Sequence, residues 1–284
     1  MAHFVGRFKV VLMCRVLGVS RSGYYDWRQR QEQPTPKAQR DVALGARVRE
    51  VFAQSQSRYG VRRVWKELSR QGVACGREHV SRLMRQAGLV AKATRRSRPK
   101  GKVSTVAHTA ENVLNREFNR ARGPDEVWLV DQTYLPVKGP KKWLYLSVVL
   151  DLYSRKVVGW HVSKTAMSEG PQTALREALQ VRRPPAGLLH HSDRGVQYTC
   201  HEYQKLLDHN QIRRSMSRPG MCRDNAPMES FFGRLKEELD IPLFDSLSQA
   251  NTALFNYIER FYNTRRLHSA LEYSTPCSFE RSLH

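Results

Sequence analysis

The chain is short of cysteine, of long apolar runs and of acid, and each shortage excludes something. Its five cysteines, Cys14, Cys75, Cys200, Cys222 and Cys277, are an odd number with no C-x-x-C pair. Neither a disulfide framework nor a zinc ribbon is supported. No apolar run approaches the roughly 18 residues that span a bilayer. The opening MAHFVGRFKVVLMCRVLGVS lacks a signal-peptide core and cleavage site, so a cytoplasmic protein is expected. Acid is scarce relative to base: 26 Asp and Glu against 48 Lys and Arg leave a net charge of +22. Such an excess repels itself in a compact fold unless a polyanion neutralises it, which makes nucleic acid the expected partner. At 284 residues, 40% of them hydrophobic, the chain has material for about two domains and is too apolar for wholesale disorder.

In VRRVWKELSRQG, Val61, Val64, Trp65 and Leu68 recur at i, i+3, i+4 and i+7, and Gly72 closes the segment. REHVSRLMRQAGL repeats the pattern with Val80, Leu83 and Met84 before Gly88. Two short helices about a Gly-bearing turn predict a helix-turn-helix, with Arg62, Arg63, Arg77, Arg82 and Arg85 as candidate DNA contacts. A small helical bundle with a solvated basic face fits the same pattern. LGVSRSGYYDW suggests half of another such unit. The basic AKATRRSRPKGKVSTVAHT, residues 91–109, has no apolar period and reads as a linker.

Beyond it, EVWLVDQTYLPV, WLYLSVVLD and RKVVGWHV read as three strands of an antiparallel meander, separated by turn-like segments. SEGPQTALREALQVRR and HEYQKLLDHN read as helices, GLLHHSD and IRRSMS as short strands, and LFNYIERFYNTRRLHSAL as a late helix. The order predicts an α/β layer rather than a repeating βαβ fold.

An aspartate inside a strand is costly to bury unless it is paired or binds a cation. Asp131 sits in VWLVDQTYL among strand formers; an arginine partner or a hydrogen-bonded strand end would also account for it. Asp193 follows GLLHH directly, where sites of open α/β sheets gather and where turn-capping is equally common. In NAPMESFFGRLKEEL, read at about 100° per residue, Met228, Phe232, Leu235 and Leu239 form an apolar stripe with Glu229 and Lys236 on its shoulder. If Asn225 caps this helix, the capping-box position is Met228, so Glu229 is not explained as a cap. Asp224 is explained as a cap or loop residue and Asp151 as a strand-end turn residue. Carboxylates brought together repel unless a divalent cation neutralises them. Oxygen-only ligands suit Mg²⁺ or Mn²⁺, and a pair of such ions about 4 Å apart serves phosphoryl displacement. A polynucleotide-modifying metalloenzyme is the expectation.

DQTY at Asp131, the 35 residues between Asp193 and Glu229, and Lys236 beyond them resemble the D,D-35-E signature of retroviral-type integrases and bacterial transposases. WLYLSVVLDLYSRKVVGW, HSDRGVQYT, DNAPMESFFGRLKEE and YNTRRLHSALEYSTP resemble the second-frame (orfB) transposase of the insertion-sequence-three family. RYGVRRVWKELSRQG with VSRLMRQAGL resembles that family's N-terminal helix-turn-helix, and the likeness runs from about residue 15 to the end.

The resemblance implies an RNase H-like integrase core, a mixed sheet flanked by helices, at residues 111–240. An all-α helix-turn-helix region at 1–90 and a linker at 91–110 would precede it, and a helical extension at 241–284 would follow. It further implies two Mg²⁺ (or Mn²⁺) ions, Asp131 bridging both and Asp193 and Glu229 each completing one. Cleavage would free a 3′-OH at the element end, which then attacks another phosphodiester directly. Lys236 would hold DNA phosphate beside Glu229. The implied partners are element ends and target DNA, further copies of the chain, and an upstream-frame product or frameshift fusion. Gln132, Val196, Met221 and Cys222 depart from the family's usual residues without touching an implied ligand. Two rivals remain at this point: a helix-turn-helix repressor without catalysis, and an RNase H-like nuclease that cuts without joining.

Overall fold

The computed structural model describes residues 2–33, 35–92, 109–139, 143–239 and 243–283. It divides into two compact units, Met1–Ala91 and Lys92–His284. The expected linker falls mostly on residues 93–108, outside the described residues.

The first unit is helical: α1 (Val10–Leu17), α2 (Arg21–Glu32), α3 (Pro36–Gln54), α4 (Val61–Arg70) and α5 (Arg77–Gln86). Ser20 and Thr35 start α2 and α3 by accepting from Gly23 N and Ala38 N, and Pro36 supplies the pre-set first position of α3. The apolar period of the sequence becomes the contact between α3, α4 and α5: Val64, Leu68 and Val80 are fully buried, as are Val48 and Val51 of α3. Between α4 and α5 the chain turns at Gly72, whose φ of +76° lies in the region that disfavours a side chain. Trp65 Nε1 donates to Cys75 O at 2.9 Å and fixes the turn.

The second unit is built on a five-stranded mixed sheet in the order β3-β2-β1-β4-β5. β1 (Val127–Pro136), β2 (Trp143–Asp151) and β3 (Val157–Ser163) form the expected antiparallel meander; β4 (Leu189–Ser192) and β5 (Arg213–Met216) run parallel to β1. Helix α6 (Glu169–Arg182) lies against β2 and β3. A Cβ on Gly159 of β3 would meet Ala174 O at 2.3 Å, so this close helix–sheet approach requires glycine there. Trp128, Val130, Leu175, Tyr198 and Tyr203 fill the core on this side, drawing in α7 (Val196–Thr199) and α8 (His201–His209).

β1 outlasts its neighbour. It pairs with β4 only over Val127–Leu129, and the edge beyond is covered by α9 (Ala226–Leu239). The attachment is specific: Asn225 Nδ2 donates to Val130 O at 3.3 Å. Its Oδ1, the atom that would cap α9, is buried and accepts nothing among the described residues, because α9 is entered directly from the 3₁₀ turn Cys222–Asn225.

The late helix is shorter than its sequence suggests. Helix α10 (Leu247–Tyr257) runs into a π-helical turn, Ile258–Tyr262, and stops. Asn263 then acts as a strand neighbour, accepting from Val157 N and donating to Val157 O, each at 3.0 Å. Arg266 reaches Glu238 of α9, and a capping box at Thr275 starts α11 (Pro276–Arg281). Glu280 of α11 pairs with Lys156 and Arg182, at 2.8 and 2.9 Å. The tail is therefore fastened to the sheet by side chains that a continuing helix would carry out of reach. Among the described residues no helix is long and apolar enough to cross a membrane.

Candidate active site

Asp131 occupies β1 just past the last residue paired with β4, half-buried, with Gln132 N donating to its Oδ1 at 2.7 Å. No arginine or lysine forms an ion pair with it among the described residues. Burial pushes its carboxyl up to about 8; the charge of Asp193 and, more weakly, that of Glu229 add to the rise, while the Gln132 hydrogen bond and Lys236 oppose it. Asp193, Glu229 and Lys236, which the sequence singled out, therefore each act on Asp131 from outside its strand.

Asp193 reaches the surface on the loop after β4, where its Oδ1 accepts from Gly195 N at 2.9 Å. Partial loss of hydration raises its carboxyl, and the Gly195 hydrogen bond offsets this. Glu229 lies in the first turn of α9 with its side chain exposed. Lys236 follows two turns later; desolvation lowers its ammonium, the charge of Asp131 raises it, and its Nζ stands 4.9 Å from the Tyr134 ring centroid. Among the described residues, no group of three or more His, Cys, Asp or Glu side chains is already drawn in to metal-holding spacing. Asp131 feels Asp193 more than Glu229.

The two decoy acids have other work. Asp151 is fully buried at the end of β2, accepting from Ser154 N, Ser154 Oγ and Asp125 N at 2.7 to 2.8 Å, as a turn residue should. Asp224 is also fully buried, and is an ion-pair hub rather than a cap. Arg218 donates to it through backbone and guanidinium, joined by Arg116 at 2.6 Å and Asn112 at 2.8 Å. The Arg218 guanidinium above all holds its carboxyl well below the usual carboxylate range. The side chain of Gln132, a departure from the family pattern, donates to Ser147 Oγ at 3.1 Å, and it is the backbone N–H that donates to Asp131.

In the first unit the five arginines differ. Arg77 pairs with Glu78 at 2.7 Å, Arg82 with Asp41 at 2.9 Å, and Arg63 lies 5.9 Å from the Tyr59 ring centroid. Arg62 and Arg85 are exposed and make no ion pair among the described residues. Sequence reasoning missed Asp41, whose other oxygen meets His79 Nε2 at 2.6 Å, because nothing local links α3 to α5. It also passed over the exposed rings of Tyr134 and Trp143. Aromatics on either side of KGPKK in the sequence were the available signal.

Over 277 residues the chain is 40% identical to the transposase InsF for insertion sequence IS3A of Escherichia coli, a match spanning 96% of this chain and 94% of the relative. The chain belongs to the IS3 family of insertion-sequence transposases. A further relative, the insertion element IS600 uncharacterized 31 kDa protein of Shigella sonnei, is 38% identical over 273 residues, covering 96% of this chain and 98% of its own. Within this transposase, residues 39–98 match the HTH-like domain, and residues 121–222 and 210–276 match the integrase core domain. Among solved structures, a chain of the simian T-cell lymphotropic virus intasome in complex with PP2A regulatory subunit B56 gamma is similar over 76% of this chain and 73% of its own, with 18% identity and a TM-score of 0.47.

Proposed function

We propose that this transposase cuts the 3′ ends of its element and joins them to another phosphodiester, with Asp131, Asp193 and Glu229 as the acids of the reaction. The observation that carries the reading is Asp131 itself. A carboxyl in a strand, without an ion-pair partner among the described residues, lies in the field of two acids from separate elements and is pushed up to about 8. Such a cluster holds protons or cations, and its donors are all carboxylate oxygens, the set that suits Mg²⁺ or Mn²⁺.

When bound, a pair of such ions supplies activation of the attacking hydroxyl and charge neutralisation at the leaving oxygen. The chain's own groups do the rest. Asp131, on the rigid sheet, fixes the position of the centre; Asp193 and Glu229 complete it from the loop after β4 and the first turn of α9. Lys236, on the same side of α9, holds a DNA phosphate beside them. Residues 1–90 would bind DNA through α4 and α5, residues 91–110 link that region to the catalytic core at 111–240, and 241–284 brace the core. Because two DNA ends must be paired, further copies of the chain belong to the reaction complex, and an upstream-frame product or fusion is a further partner. The reaction would take place in the bacterial cytoplasm.

The test is a labelled duplex of the element's end incubated with Mg²⁺ or Mn²⁺ and either wild type or Glu229→Gln, scoring cleavage and joining. Joined product from wild type alone supports the assignment. Cleavage without joining, even when a pre-cut 3′-OH end is supplied, would make the chain a nuclease. DNA binding with neither product in any metal would leave a DNA-binding regulator.

A further inference from the structure

At the far end of the β1–β2 hairpin, Tyr134 and Trp143 present their rings to solvent, 38% and 43% exposed. The ring centroids are 5.1 Å apart at 71°, an edge-on pair. Pro136, Leu239 and Phe244 join them and Lys236 in lining a recess of about 210 Å³. Cross-strand aromatic pairs ordinarily stabilise a hairpin by covering each other and the strands beneath. Here both rings stay partly open, and the Lys236 ammonium lies over the Tyr134 ring.

The position of this recess matters. Successive side chains leave opposite faces of a strand, so Tyr134 departs from β1 on the face opposite Asp131. Helix α9 runs along the β1 edge that β4 leaves unpaired, and Lys236 acts on both faces. Its ammonium stands 4.9 Å from the Tyr134 ring centroid, and its charge lowers the carboxyl of Asp131. A polyanion held at Lys236 has the acids on one side and an open aromatic recess on the other.

We propose that Tyr134, Trp143 and Lys236 form a stacking site for a single nucleobase displaced from the duplex next to the reacting phosphate. The inference rests on reading the acids as a DNA-processing centre. An aromatic face accepts any base, since every base has a π-face, and the lysine takes the adjoining phosphate. Displacing a base costs least where the duplex is already weak, as at an end or a mismatch. The site would thus seat a base at the processed end of the element and hold that strand open beside Asp131.

Binding of element-end duplexes in EDTA tests this without requiring catalysis. Trp143→Ala should weaken binding by roughly 5- to 150-fold, the span of one base–aromatic stack, and Trp143→Phe should restore most of it. The same titrations are then run with the base removed at each position near the cleavage point in turn. At one position the difference between wild type and Trp143→Ala should vanish, and at the others it should persist. Tyr134→Leu should pick out the same position. Both rings are only partly covered, so circular dichroism should match wild type and thermal melting should shift only slightly. A Trp143→Ala penalty that is the same at every abasic position, or no penalty at all, would overturn the proposal. Since no metal is present, loss of strand joining in the catalytic assay leaves this readout intact, and the two readings fail separately.

Discussion

Arg266 forks onto Glu238, its Nε at 2.9 and 3.1 Å and its terminal nitrogen at 2.7 Å from the carboxylate, and each side chain is only 4% exposed. Tyr257 OH donates to the same carboxylate at 3.0 Å. Glu238 sits near the end of α9 and Arg266 beyond the π-helical turn, so the tail grips the helix that carries Glu229 and Lys236. Removing one partner of a buried pair strands the other charge. Arg266→Ala should cost about 3–5 kcal/mol in urea unfolding, whereas Arg266→Met with Glu238→Gln, which removes both charges, should recover much of it. Equal losses in the single and double variants would show that packing, not charge, decides the effect.

His190 is buried in β4, where it shares a hydrogen bond of 2.9 Å with Tyr203 OH. Burial, aided by neighbouring His191, pushes its imidazole down to about 3. The unfolded chain takes up a proton near pH 6.5, and the folded chain refuses it until about pH 3. Stability from this group is therefore complete above pH 6.5 and falls as the pH drops between those values. Urea midpoints measured from pH 7 to pH 4 should decline in wild type. They should decline less steeply in His190→Gln, which has nothing to protonate there. Identical slopes would place the acid sensitivity elsewhere.

Arg85 and Arg62 are exposed without an ion pair among the described residues, and Lys236 is exposed on α9. Each phosphate that a cation neutralises on duplex DNA contributes about 0.9 to the slope of log K against log salt. Arg85→Ala and Arg62→Ala, tested separately, should each lower that slope by about this amount with no change in melting temperature, and Lys236→Ala should do the same. Arg82→Ala should instead lower the melting temperature slightly, because Arg82 ties α5 to Asp41 of α3 through a solvent-screened pair. An unchanged slope in Arg85→Ala removes that residue from the DNA interface.

The meander, α6 and the paired helices α4 and α5 were legible because their patterns are local: periods of two or of 3.6 followed by glycine or proline. The three proposed acids stood out as anomalies, charged residues among strand formers or on the shoulder of an apolar stripe. What stayed hidden depends on partners far along the chain. LFNYIERFYNTRRLHSAL carries a helical period past Tyr262, yet Asn263 and Arg266 are held by Val157 and Glu238, and those contacts pull the chain out of the helix. Asn225 likewise reads as a cap, but a 3₁₀ turn over Cys222–Asn225 leads straight into α9, and only its Nδ2 is used, on Val130 O of the open β1 edge. Asp224 reads as a loop residue because Arg116 and Asn112, more than a hundred positions away, have no sequence link to it.

Asp224 is also the acid that most directly rivals Glu229, five residues before it on the approach to the same helix. Their surroundings separate them. Both Asp224 oxygens already accept hydrogen bonds, Oδ1 from Arg116 and Arg218 and Oδ2 from Asn112 and Arg218, and the side chain is fully buried. A carboxylate so engaged has no lone pair to offer a cation without releasing its arginines. Glu229 is exposed and acts on Asp131. Asp224→Asn should lower stability by about 1–3 kcal/mol, the loss of hydrogen bonds to charged groups. Per folded molecule, it should still cleave and join element ends. Glu229→Gln should keep wild-type stability and DNA affinity in EDTA while its joining falls to background. If Asp224→Asn abolishes joining in protein shown to be folded, and Glu229→Gln retains it, the third acid of the centre is Asp224 and the register of α9 against β1 has been misread.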